Sequence, residues 1–190
     1  MKLFLTSYLA GTKGLAQKFL AQTDMQNILF IPTAANVEEY RGYVDEGIAA
    51  LKEMGCVVAI LDVATTPHNE SVQAIKNSDC LCVSGGNTFF LLQELKRNGL
   101  LDLIKQKVQD GIPYIGESAG AIIACPDIAY NQIMDDKTVA TELTDYSGMD
   151  LVDYYVLPHN GEFPFVETTA QTIKVYGEKI NLVPLNNSQS

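Results

Sequence analysis

Cations, histidines and long apolar runs are all scarce in this chain. Thirteen Lys and Arg stand against 23 Asp and Glu, giving a formal net charge of −10 and a pI near 4.5. That balance argues against a nucleic-acid partner, whose phosphates need basic patches, and against an acidic membrane surface. No apolar run approaches the roughly 18 residues of a membrane span. The opening MKLFL is interrupted by Thr6 and Ser7, and no small-residue cleavage site follows, so it reads as a first strand rather than a signal peptide. The four cysteines, Cys56, Cys80, Cys82 and Cys125, form no CxxC. Cys80 and Cys82 fall on one face of a strand, where they cannot bridge each other. They read as buried, reduced thiols of a cytoplasmic protein. With two histidines, His68 and His159, there is no metal-ligand cluster. The phosphate-cradling patterns GxGxxG and GxxxxGK are absent as well.

What is present is a regular alternation. The 190 residues, 47% apolar and 19% charged, suit a single domain over residues 1–190 with a core on both sides of a sheet. Strands are expected at residues 2–7, 27–32, 56–63, 79–84, 112–115, 153–157 and 179–185. Helices are expected at 14–22, 37–54, 89–97, 100–110 and 165–176, with a short one ending near 77. Residues 126–150 form a long polar connection of the kind that often carries function. No internal repeat or low-complexity tract interrupts the order. Strands and helices alternating in this way predict a three-layer, doubly wound, mostly parallel sheet.

One stretch of this pattern carries chemistry. IPYIGESAGAIIAC, residues 112–125, runs from an apolar strand through Gly116-Glu117-Ser118-Ala119-Gly120 into an apolar helix. The letters G-x-S-x-G alone occur by chance in roughly one chain in twenty of this length. The strand–turn–helix context gives them meaning: a strained elbow lifts the serine hydroxyl clear of the sheet. In a parallel sheet the working site lies at the carboxyl ends of the strands. Gly85-Gly86-Asn87, Ser118 and His159 each follow a predicted strand.

A serine nucleophile needs a base within hydrogen-bond reach, and His159 is the candidate, because His68 sits in a turn at a helix start. The base needs a carboxylate to fix its tautomer. Asp135 and Asp136 in the long connection, and Glu162 just past the histidine, are the three candidates, and the sequence does not choose among them. The Ala119 amide, directly after the nucleophile, and the Gly86 amide are the expected oxyanion donors. Glu117 is either a seat for a substrate ammonium group or a solvent-facing elbow residue. Asn87 is a candidate substrate contact.

The segments VSGGNTFFLL (83–92), YIGESAGA (114–121) and LPHN (157–160) resemble the dipeptidase E and cyanophycinase family of serine peptidases. The resemblance spans nearly the whole chain. It implies a class I glutamine-amidotransferase-like, flavodoxin-like architecture in which serine replaces the usual cysteine. It also implies Ser118 as nucleophile, His159 as base, Gly86 and Ala119 as oxyanion donors, a homodimer, and no cofactor. In the branch that removes amino-terminal aspartate, an arginine beyond the histidine reads the substrate carboxylate. Here no arginine follows Arg97, and Lys174 and Lys179 are the cations beyond His159. The tail 185–189 is similar to the family's segment before a closing strand, and no such strand follows in this chain.

The expected activity is therefore that of a cytoplasmic serine peptidase. Its substrates are dipeptides or short peptides with a free amino terminus, Asp-X among them. The alternatives are an amidase or isopeptidase on the same scaffold, and a non-catalytic protein that binds a small ligand.

Overall fold

A computed structural model describes residues 1–23 and 26–190. Five short strands form one wholly parallel sheet: β1 (Leu3–Thr6), β2 (Asn27–Ile31), β3 (Val57–Ile60), β4 (Cys80–Val83) and β5 (Tyr114–Glu117). Their order is β1-β5-β4-β2-β3. The strands read as continuous apolar runs because a parallel sheet buries both faces, and successive side chains divide between them. Ile28, Phe30, Cys80, Cys82 and Ile115 pack in one core cluster with Ala16 and Leu20 of α1 (Lys13–Ala21) and Leu51 of α2 (Gly42–Glu53). Leu29, Ile31, Leu81, Val83 and Tyr114 belong to the other. There they meet α3 (His68–Asn77), α4 (Thr88–Arg97), α5 (Leu101–Gln109) and the short α6 (Ala119–Ile122). The three-layer α/β arrangement follows the alternation in the sequence.

Two departures bear on the site. The helix expected over 37–54 begins only at Gly42; before it, Thr33–Val37 is a 3-10 turn and Glu38 is extended. The Arg41 guanidinium holds this break by donating to the carbonyls of Asn36 and Glu38. The last two strands do not join the main sheet. β6 (Tyr155–Leu157) and β7 (Leu182–Pro184), linked through α7 (Val166–Tyr176), form a separate parallel pair. That pair is tied to the core where the Val156 amide donates to Cys125 Sγ at 3.3 Å and the Tyr130 hydroxyl donates to the Val156 carbonyl. Its pairing continues past both strands, with Leu185 N donating to Leu157 O at 2.8 Å and Asn160 N to Leu185 O at 2.9 Å. The continuation brings the C-terminal tail alongside His159.

Among the described residues no helix is long and apolar enough to cross a membrane, and no group of His, Cys, Asp and Glu could hold a metal ion.

Candidate active site

The turn after β5 is sharp. Ser118 has φ 48° and ψ −107°, a positive-φ conformation that a residue with a side chain adopts only when its surroundings force it. The forcing contacts are close: Ser118 N donates to Thr6 O at 2.9 Å, and a Cβ on Gly120 would stand 2.2 Å from the Val83 carbonyl oxygen. Only glycine at 120 lets α6 start this near β4. The serine hydroxyl then opens onto a cavity of about 580 Å³, a size that suits a small-molecule ligand.

Across that cavity His159 meets the serine, with Nε2 3.0 Å from Ser118 Oγ. His159 is itself at φ 59°, and Phe165 stacks on its ring at 4.7 Å between centroids, fixing the imidazole plane. Burial pushes the imidazole pKa below its ordinary value; contact with Asn187 and the charge of Glu162 oppose that shift without cancelling it. The shift favours the neutral ring, the form a general base requires.

The other ring nitrogen meets an amide instead of a carboxylate. His159 Nδ1 lies 2.8 Å from Asn187 Oδ1 and 3.2 Å from Ser7 Oγ. The Ser7 hydroxyl accepts the His159 backbone N–H at 2.7 Å and donates to Asn187 Oδ1 at 3.0 Å. With the Asn187 oxygen turned to the ring, Nδ1 carries the proton and Nε2 is left as an acceptor facing Ser118.

None of the three expected carboxylates hydrogen bonds the ring, which corrects the expected role of each. Asp135 accepts from the Thr88 amide at 2.8 Å and from Asn131 Nδ2 at 2.8 Å, so it ties the long connection to the start of α4. Burial lifts its carboxyl to about 6, against the pull of those donors. Asp136 is exposed and caps the 3-10 turn Lys137–Val139, accepting from Thr138 N at 2.8 Å and Thr138 Oγ1 at 2.7 Å. Glu162 acts one step removed: its Oε1 accepts the Asn187 backbone amide at 3.4 Å.

The glycine pair does approach the serine, since a Cβ on Gly85 would lie 3.8 Å from Ser118 Oγ. Gly86 has φ 128°, and a Cβ there would collide with the Ala34 carbonyl carbon at 2.3 Å, so glycine is required. Among the described residues, neither the Gly86 nor the Ala119 amide donates to a carbonyl in any turn, loop or cap. Asn87 is held within the protein while lining the cavity: Oδ1 caps α4 by accepting from Phe90 N, and Nδ2 donates to Asp136 O at 2.9 Å. Glu117 is not solvent-facing. It is the last residue of β5, paired against Thr6 of β1, and 2% exposed.

Sequence reasoning missed Ser7 and Asn187. Ser7 follows β1 and Asn187 lies past β7, so both obey the strand-end rule that found the other groups.

A family model for peptidase family S51 matches residues 3–190. The chain is 43% identical over 189 residues to an uncharacterized peptidase of Pasteurella multocida, spanning all of this chain and 91% of that protein. It is 34% identical over 154 residues to a peptidase E of the same organism, spanning 81% of this chain and 62% of that one. A crystal structure of a protein provisionally named peptidase E, from Listeria monocytogenes EGD-e, superposes with a TM-score of 0.93. It is 43% identical, and the match covers 98% of this chain and 91% of that one.

Proposed function

The chain belongs to peptidase family S51 and is a serine-type peptidase; on that premise we propose that it hydrolyses dipeptides or short peptides through Ser118 and His159, with Asn187 in the place of the usual acid. The observation that carries the reading is the 3.0 Å contact between Ser118 Oγ and His159 Nε2 at the wall of the cavity.

In this reading Ser118 Oγ attacks the substrate carbonyl while His159 Nε2 takes its proton. The Nδ1–H bond to Asn187 Oδ1 holds the tautomer through that step and steadies the imidazolium that forms. Charge gathering on the carbonyl oxygen is met by the amides of Gly86 and Ala119. His159 then returns the proton to the departing amine as the C–N bond breaks, leaving an acyl-serine. A water molecule, deprotonated by the same nitrogen, frees the product acid and restores the serine.

Asn187 differs from a carboxylate in being neutral: it orients the ring and hydrogen bonds the imidazolium but supplies no countercharge. The four free, buried cysteines support a cytoplasmic setting. The exposed Val57 and Ile60 on the edge strand β3 are consistent with the homodimer expected from the resemblance. A panel of dipeptides and short peptides tests the activity: the wild-type chain hydrolyses members of it, and Ser118→Ala lowers kcat by at least about 10³-fold. Equal turnover by the two proteins contradicts the reading.

A further inference from the structure

Three polar atoms beside the cavity have no partner. Glu117 gives Oε1 to the Leu9 amide at 2.8 Å, but its Oε2 is buried with no hydrogen bond. Asn131, 1% exposed, spends its Nδ2 on Thr88 Oγ1 and Asp135 Oδ2 while its Oδ1 stays unmatched. The Tyr43 hydroxyl is the third. All three residues line the cavity that holds Ser118. Buried polar atoms are rarely left unpaired, and the Asn131 oxygen and an ionised Glu117 oxygen can only accept. What completes them is a donor.

The charges on the same wall are of one sign. Glu38, Glu117, Asp135 and Asp136 line the cavity, and among the described residues no lysine or arginine does. Arg41, close by in sequence, turns its guanidinium onto backbone carbonyls. Glu117 immediately precedes the serine and lines the same cavity, on the side from which the amino-terminal residue of a short substrate could be met when its first peptide bond reaches Ser118 Oγ. Burial pushes its carboxyl up to about 7, against the Leu9 amide bound to its other oxygen. An arriving cation favours the ionised form.

Resting on the peptidase reading above, we propose that Glu117 is the seat for the free α-ammonium group of the substrate. With the surrounding carboxylates it selects short peptides whose first residue is neutral or basic over those that begin with Asp or Glu. An ammonium group brings several N–H donors and a positive charge, which is what an unpartnered carboxylate oxygen and an all-acidic wall lack.

The test compares Ala-Ala, N-acetyl-Ala-Ala, Lys-Ala and Asp-Ala on the wild-type protein and on Glu117→Gln. In the wild type, acetylation lowers kcat/KM by at least about 100-fold, chiefly through KM, and Lys-Ala exceeds Asp-Ala by at least about 10-fold. Glu117→Gln shrinks the acetylation effect to within about 5-fold. Equal turnover of free and acetylated peptide by the wild type, or preference for Asp-Ala, overturns the proposal. If the variant does not fold, as read by circular dichroism, the wild-type comparison decides alone. If no peptide is cleaved, the peptidase reading fails on its own. Calorimetry with alaninamide and N-acetylalaninamide on the wild type then decides the seat: binding of the first alone supports it, and equal binding or none overturns it.

Discussion

His159 Nδ1 faces Asn187 Oδ1 at 2.8 Å, and that oxygen also accepts the Ser7 hydroxyl at 3.0 Å. The proposed base of the site is thus held by a neutral amide from the C-terminal tail, delivered there by the pairing of β6 with β7. Because the amide orients without adding charge, its effects on geometry and on proton affinity can be separated by substitution.

Removing the orienting group frees the ring to rotate away from Ser118. Asn187→Ala lowers kcat by about 10- to 100-fold with KM little changed, since a small misplacement of a reacting group costs rate rather than binding. Steady-state kinetics on a cleaved dipeptide check it, with far-UV circular dichroism to confirm that the fold persists.

Asn187→Asp keeps the acceptor and adds a negative charge beside the imidazole, which favours His⁺. The acid limb of the kcat/KM profile, set in the wild type by a histidine pKa below 6.5, moves to higher pH in this variant. A profile that does not move separates Asn187 from the base.

The pH dependence of stability has two parts of opposite sign. Glu117 and Asp135 have carboxyls raised to about 7 and about 6, so between the usual carboxylate range and those values the folded chain binds more protons than the unfolded one. Stability from this source falls as pH rises from about 4.5 to about 7, because a proton held only by the folded chain is worth about 1.4 kcal/mol less at each successive pH. His159, with its pKa lowered, works the other way: its contribution is present above 6.5 and is lost as pH falls through the folded value. Two raised carboxyls act against one lowered imidazole, so the net slope follows the carboxyls. Thermal melts of the unliganded protein therefore drop from pH 5 to pH 7.5, and Glu117→Gln flattens the slope.

Gly86→Ala forces a side chain onto a φ of 128° and into the Ala34 carbonyl. A loss of about 2–4 kcal/mol in urea unfolding is expected, together with displacement of the Gly86 amide from its proposed oxyanion position and a fall in kcat of at least about 100-fold.

How far the sequence reveals this site can be read from its members. Gly86, Ser118 and His159 each follow an apolar run that periodicity identifies, and in a parallel sheet those ends converge. Asn187 is not legible there because the usual partner of such a histidine is charged, and the tail 186–190 looks like a polar terminus. Its position depends on β6 and β7 pairing with each other outside the main sheet, a long-range choice that no local pattern encodes. Glu117 was ambiguous for a local reason: β5 runs through it to the turn, so alternation turns its side chain inward beside Leu9 and not outward. The helix expected over 37–54 lost its first turn to contacts of Arg41 that depend on the folded loop.

Ser118 is proposed as a nucleophile activated by His159. Intact-protein mass spectrometry after exposure to a fluorophosphonate measures this directly. A single adduct on Ser118 is expected in the wild type, forming at least about 100-fold more slowly in His159→Ala. No adduct in the wild type, or labelling at the same rate without His159, would contradict it.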